Sequence, residues 1–293
     1  YIDEEAGRLY VAGSNTKSNG VIVLDLNGDP DNPTQIGNPT LPGGYIHDIF
    51  VRANKGYCSH GTNGYWVYNF ANPQNPVLLG TLTDYPQEGY NHSSWLTDNG
   101  QHVVMADETH NKGLKIVDVS DLSDMTVTDV FRSALLAPAD TASIAHNPFI
   151  RDNYVFISYY HDGMQVFNIS NPNNAVKVAW YDTYPANTNY SGFKGCWGVY
   201  PFLPSGKILA SDMTNGLFIF SLNNITLDPI PYPSYPTPTI SLQGGNPICE
   251  GQTVTLNAHP SATDAEWFFN GNPLPDQGTS IQVGEDGVYS AIL

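Results

Sequence analysis

The chain has 293 residues, with 11 Lys and Arg against 28 Asp and Glu, and its formal charge of −17 repels phosphate backbones and argues against nucleic-acid binding. Charged residues are only 13%, whereas 27 Gly, 22 Pro and 12% aromatics give the texture of a β protein rich in turns. No apolar run reaches the roughly 18 residues that span a bilayer, and no basic-then-apolar leader opens the sequence, so the chain as given reads as soluble with no transmembrane segment.

In chain order, β-rich runs arrive in sets. The first set holds RLYVAGS at 8–14 and, after Asn19-Gly20, VIVLDL. Tyr1-Ile2 corresponds to the middle of an innermost strand, whose opening is expected before the first residue. The second set holds HDIFVR at 47–52, KGYCSHG at 55–61, YWVYNF after Asn63-Gly64, and PVLLGTL at 76–82. The third holds HSSWLT at 92–97, QHVVMAD at 101–107 and LKIVDV after Lys112-Gly113. The fourth holds YVFISYY at 154–160, MQVFNI after Asp162-Gly163, and AVKVAWY at 175–181. The fifth holds KILASDM at 207–213 and LFIFSL after Asn215-Gly216.

The turn glycines recur at intervals of 44, 49, 50 and 53 residues. Asn-Gly and Asp-Gly favour the positive φ of tight hairpins, so each pair of runs reads as antiparallel neighbours. Four short antiparallel strands at this period describe one blade of a β-propeller. Helix-period segments are nearly absent, and SALLAPADTAS at 133–143 has the composition for one helical turn at most. Five blades are legible. A propeller closes its ring to protect its edge strands, so further blades are expected outside this sequence.

After the fifth blade the texture changes. Residues 229–238, PIPYPSYPTP, carry five prolines and read as a stiff linker. Beyond it Cys249, then Trp267, then Gly287-Val288-Tyr289 follow the immunoglobulin-like order of Cys, Trp and tyrosine corner. The second Cys of that order would fall past Leu293, so this module is expected to be incomplete. The expected organisation is an all-β chain: a propeller over 1–228, a linker over 229–238 and an Ig-like β-sandwich module over 239–293. Cys58, Cys196 and Cys249 fit no zinc spacing and cannot all pair within the chain.

The strands GLKIVDVSD, GMQVFNISNP and GVIVLDL resemble the LVIVD repeat of bacterial surface proteins. The run AHNPFIRDNYVFISYYHDGMQVFNIS, through AWYDTYP, to WGVYPFLPSGKILASDMTNGLFIF is similar to the C-terminal repeats of the choice-of-anchor B proteins, and YIDEEAGRLYVAGSNT resembles one of their interior repeats. The resemblance covers roughly residues 1–222. It implies a propeller exported to the cell surface, with anchoring carried by segments outside the given sequence, and it brings no established activity. The C-terminal segment resembles Ig-like modules on exported proteins of the Bacteroidetes, which serve as spacers.

Six of the eight histidines fall in two register positions. His47, His92 and His146 open the innermost strands of three successive blades, where the fifth has Trp197. His60, His110 and His161 end the second strands or begin the following turns, where the fifth has Met213. Both positions lie at one end of a meander, so all six are expected on one face of the disc, with Asp48, Asp107, Glu108, Asp162 and Asp212 at its rim. Two readings fit. Imidazoles with carboxylates nearby are ligands for Zn, Cu, Ni or Fe; alternatively each histidine ties a loop within its own blade, and the repeat alone explains the repetition. His102, at a turn, and His259 have no partners in register.

Asp3-Glu4-Glu5 and NGDPDNP at 27–33 are rich in oxygen ligands for Ca²⁺, yet they are also ordinary turn compositions. The aromatics Tyr65, Trp66, Tyr159, Tyr160, Trp180, Tyr181, Tyr184 and Trp197 suit sugar stacking or packing between blades. Cys196 beside Trp197 reads as a nucleophile, a soft ligand or an inert buried thiol. The reading as a whole is an exported surface scaffold for binding or adhesion, its partner a glycan or protein. The rivals are a metal-dependent enzyme with its site at the histidine-lined end of the channel, and a structural component of a surface layer or fibre.

Overall fold

Tight turns set the architecture. At Gly163 the backbone takes φ +74°, and a Cβ there would lie 2.1 Å from the Tyr181 carbonyl oxygen, so glycine alone lets the chain reverse at this point. The computed structural model describes residues 1–231, 241–243, 253–258, 265–285 and 287–292. They divide into two units, Tyr1–Ile230 and Pro231–Leu293.

The first unit contains five antiparallel sheets, each in chain order. They are β1 (Ile2–Asp3), β2 (Arg8–Val11), β3 (Ile22–Asp25) and β4 (Thr34–Gly37); then β5 (Asp48–Arg52), β6 (Lys55–Ser59), β7 (Tyr65–Asn69) and β8 (Val77–Leu82). Next come β9 (Asn91–Leu96), β10 (His102–Asp107), β11 (Leu114–Asp118) and β12 (Thr126–Phe131), followed by β13 (Pro148–Arg151), β14 (Tyr154–Ser158), β15 (Met164–Asn168) and β16 (Val176–Tyr181). The fifth sheet has β17 (Cys196–Tyr200), β18 (Ile208–Asp212) and β19 (Gly216–Phe220). This is the meander of propeller blades. The first strands β1, β5, β9, β13 and β17 are neighbours in that order.

The core lies between the sheets. Along β10, Val103 and Met105 pack towards the second sheet with Phe50 and Tyr57, while Val104 and Ala106 pack towards the fourth with Ile150 and Val155. Both faces of a middle blade are therefore covered, which is why its strands read as continuous apolar runs instead of alternating with polar residues. Between the third and fourth strands the register slips at one recurrent place, at Val23/Leu24, Val67/Tyr68, Ile116/Val117 and Val166/Phe167. Such bulges increase the twist of a blade's outer edge.

Outer strands meet the next blade's turn closely. A Cβ on Gly37 of β4 would lie 2.3 Å from the Pro73 carbonyl oxygen, and one on Gly80 of β8 would lie 1.7 Å from that of Leu122. In the third blade Thr128 of β12 donates its hydroxyl to the Pro172 carbonyl at 2.7 Å. Blades are thus clasped at the rim as well as packed at the face.

Among the described residues there is no helix, and none is long and apolar enough to cross a membrane. The stretch 133–143 forms turns and irregular chain in place of the helical turn its composition allows. His102 opens β10 opposite Asp118 instead of sitting in a turn, because the apolar run that follows carries pairing back to it.

In the second unit, β20 (Ser241–Gln243), β21 (Val254–Asn257), β22 (Glu266–Phe269), β23 (Asn272–Gln277), β24 (Ser280–Val283) and β25 (Tyr289–Ile292) form two antiparallel sheets, ordered β20-β21-β24 and β23-β22-β25. Trp267 of one sheet is fully buried against Val254, Leu256, Ile281 and Val283 of the other, and its indole N–H donates to the Gly278 carbonyl at 2.8 Å. The Tyr289 hydroxyl donates to the Glu285 carbonyl at 3.1 Å. Cys249, His259 and the linker beyond Pro231 lie outside the described residues.

Candidate functional site at the channel mouth

Strand pairing fixes which residues reach the mouth of the channel. Asp48 pairs with Ser59, Ser93 with Ala106, and Gly198 with Ser211, while His146 donates its backbone N–H to Ser158; this puts His47, His92, His146 and Trp197 at one equivalent position. Their rings form an arc across four blades. His47 and His92 have centroids 4.1 Å apart, His92 and His146 4.5 Å, and His146 and Trp197 5.4 Å. Tyr45 and Tyr90 hydroxyls each stand 3.3 Å from His47 Nδ1.

The second group of histidines does not share a register. Ser59 pairs with Tyr65 and Ser158 with Met164, so His60 corresponds to Tyr159 and not to His161. By the same pairing Asp107 and Asp212 stand where His60 does, and Glu108 takes the next place with Gly61 and Tyr160. At Gly61 and Tyr160 that place abuts the next innermost strand, through the Gly61–Asn91 and Tyr160–Cys196 bridges, while the Glu108 N–H bonds to the Tyr90 carbonyl at the start of its own blade's first strand. Glu108 and Tyr160 thereby reach the arc. His92 Nε2 lies 3.5 Å from Glu108 Oε2, His146 Nε2 lies 3.7 Å from Oε1, and the Tyr160 hydroxyl donates to Oε1.

Burial dominates the electrostatics here. It lowers His92 to about 2, helped by its imidazole neighbours, and His146 to about 4 against the opposing hydrogen bond to the Trp197 carbonyl. Both rings are neutral at neutral pH. Burial raises Asp48, with the Ile49 N–H opposing it. Among the described residues the one set of His, Cys, Asp or Glu close enough to share an ion is His92, Glu108 and His146.

The other candidates serve their own surroundings. His60 is buried beside Gly43, Trp66 and Tyr68. His110 and His161 meet the Tyr190 and Ser191 carbonyls at 3.0 and 3.3 Å. Asp107 pairs with buried Lys115 at 2.6 Å and accepts from Tyr85 and Asn91. Asp162 accepts from the Tyr190 hydroxyl at 2.6 Å, and Asp212 from Thr183 and the Thr214 and Asn215 amides. Asp3 and Asp29 cap their own turns through the Ala6 and Asp31 amides. Cys58 and Cys196 are free and buried, and burial pushes the Cys196 thiol up to about 12, which leaves it a poor nucleophile.

Below the arc lies a cavity of about 340 Å³. Its lining includes Trp95, whose ring lies 4.8 Å from Phe50, 4.9 Å from Phe149 and 5.4 Å from Phe202. A larger hollow of about 490 Å³ opens at the other end of the third and fourth sheets and includes Asp98, Asp152 and Asp228; it holds no comparable set of ligands.

The LVIVD repeat model matches residues 100–131 and 144–183, the outer three strands of the third blade and the whole fourth blade, which supports that repeat family for the chain. No curated protein matches the sequence. Among solved structures, the β-propeller domain of Cps50 (Swd1) from Myceliophteria thermophila is similar at TM-score 0.55 and 12% identity, over 77% of this chain and 69% of that one. A candidate 6-phosphogluconolactonase from Bacteroides uniformis is similar at TM-score 0.57 and 11% identity, over 99% and 87%. One from Bacteroides fragilis NCTC 9343 is similar at 0.52 and 15%, over 91% and 80%. At these identities the likeness is one of fold, a β-propeller.

Proposed function

We propose that the propeller is an exported, surface-attached binding module of the choice-of-anchor B type, whose ligand site is the aromatic-rimmed mouth of the channel. The observation that carries this reading is the arc of His47, His92, His146 and Trp197 at a cavity also lined by Phe50, Trp95 and Phe149. Tyr45, Phe193 and Trp197 are 38%, 51% and 54% exposed, and such ring faces stack on sugar rings. The charge of −17 disfavours anionic ligands, so a neutral surface glycan fits best and a protein partner second. The second unit, with two facing sheets around Trp267 and the Tyr289–Glu285 bond, supports an Ig-like spacer.

The test is a glycan array probed with the full chain and with Trp197→Ala. Binding to a neutral glycan that is lost in the variant is expected. A chain that binds no glycan, or a variant that binds as before, overturns the reading. A metal-dependent enzyme is the second reading, favoured by the placement of Glu108 between two neutral imidazoles.

A further inference from the structure

We infer that His92, His146 and Glu108 hold one divalent transition-metal ion of the Zn²⁺ class at the mouth of the channel. The inference uses the proposed site only for its location, since an ion can sit there whether or not a glycan binds above it.

The distances fit one ion. Two donors bound to a tetrahedral zinc at about 2.1 Å stand about 3.4 Å apart. The imidazole–carboxylate separations here are 3.5 and 3.7 Å, and the three donor atoms all lie within 4.8 Å of one another.

The hydrogen positions carry the argument further. His146 Nδ1 stands 2.5 Å from the Trp197 carbonyl oxygen, which can only accept, so Nδ1 carries the hydrogen and Nε2 presents a lone pair. That lone pair faces Glu108 Oε1, a second acceptor, across 3.7 Å. His92 Nδ1, also buried, has no hydrogen-bond partner among the described residues. Electron pairs converging without a positive charge between them are stabilised by a cation.

The supports around the set have the form that metal ligands use. A ligating imidazole commonly donates its other N–H to a backbone carbonyl, as His146 does, and a ligating carboxylate is held by a hydrogen bond, as Tyr160 holds Glu108. Two imidazoles and one carboxylate suit Zn, Fe or Ni, whereas Ca²⁺ and Mg²⁺ take oxygen ligands. Three protein ligands leave a fourth tetrahedral position for water.

The experiment titrates the full chain, first stripped with a chelator, with Zn²⁺ by calorimetry and with Co²⁺ by visible absorption. One equivalent of each is expected, with Co²⁺ d–d bands that Zn²⁺ abolishes. His146→Ala and Glu108→Gln should weaken binding by about tenfold or more, while His110→Ala, outside the set, should not. Circular dichroism checks each variant's fold, and should His146→Ala fail to fold, the near-isosteric Glu108→Gln decides. No stoichiometric uptake, or uptake that a folded Glu108→Gln leaves unchanged, overturns the inference. Trp197→Ala separates the two proposals: it removes glycan binding alone if both hold.

Discussion

His60 shows how a buried side chain sets a pH limit. Burial lowers it to about 4, against the Gly43 and Tyr45 backbone, while in the unfolded chain it returns to about 6.5. The unfolded state therefore binds more protons between these values, so stability is complete above about pH 6.5 and declines as pH falls towards 4. Compared with His60→Gln, the natural protein should lose on the order of 2 kcal/mol more between pH 7 and 4. Denaturant unfolding across that range measures it, and parallel curves for the two proteins would refute it. At this scale the sequence is informative where strand phase decides. His47, His92 and His146 are in phase at the start of their strands and do meet, whereas His161 is two residues out of step with His60, because the turn that follows must first be counted from the pairing of Ser158 with Met164. Tyr160 reaches Glu108 with φ at +40°, a backbone state that a tyrosine does not advertise.

At the scale of strands and sheets the rim contacts decide more than the turns. Gly100 and Gly80 make a clean pair. Gly100 has φ +72° with open space around it, so Gly100→Ala costs only backbone strain, about 1 kcal/mol. Gly80 has the Leu122 carbonyl where a Cβ would sit, so Gly80→Ala must push neighbouring blades apart and should cost about 2 kcal/mol or more. Unfolding midpoints of the two variants test the order, and equal losses would count against the clasp. The blades themselves were legible, because Asn-Gly and Asp-Gly turns and apolar runs are local signals. The clasp was not, since nothing in VLLGTL tells that its glycine faces another blade's carbonyl.

At the scale of the molecule, one side chain ties several blades together. Trp95 meets Phe50, Phe149 and Phe202, and so joins the second, third and fourth sheets and the chain that follows β17 of the fifth. Trp95 is half-buried, so Trp95→Ala should cost about 2 kcal/mol, less than a fully buried aromatic, and enlarge the cavity it lines. Thermal unfolding reads the first effect. Binding of a polarity-sensitive dye reads the second, and a variant as stable as the parent that binds no more dye would show that the ring only fills space.

The rim contacts have one more consequence, in time. Each of the carbonyls at Pro73, Leu122 and Pro172 belongs to a segment made 36 to 44 residues after the outer strand it meets. A chain leaving the ribosome finishes a blade's own pairing before the segment that seals its rim exists. Spatial order is thereby copied from synthetic order, and each newly made blade acts as the template against which its predecessor settles.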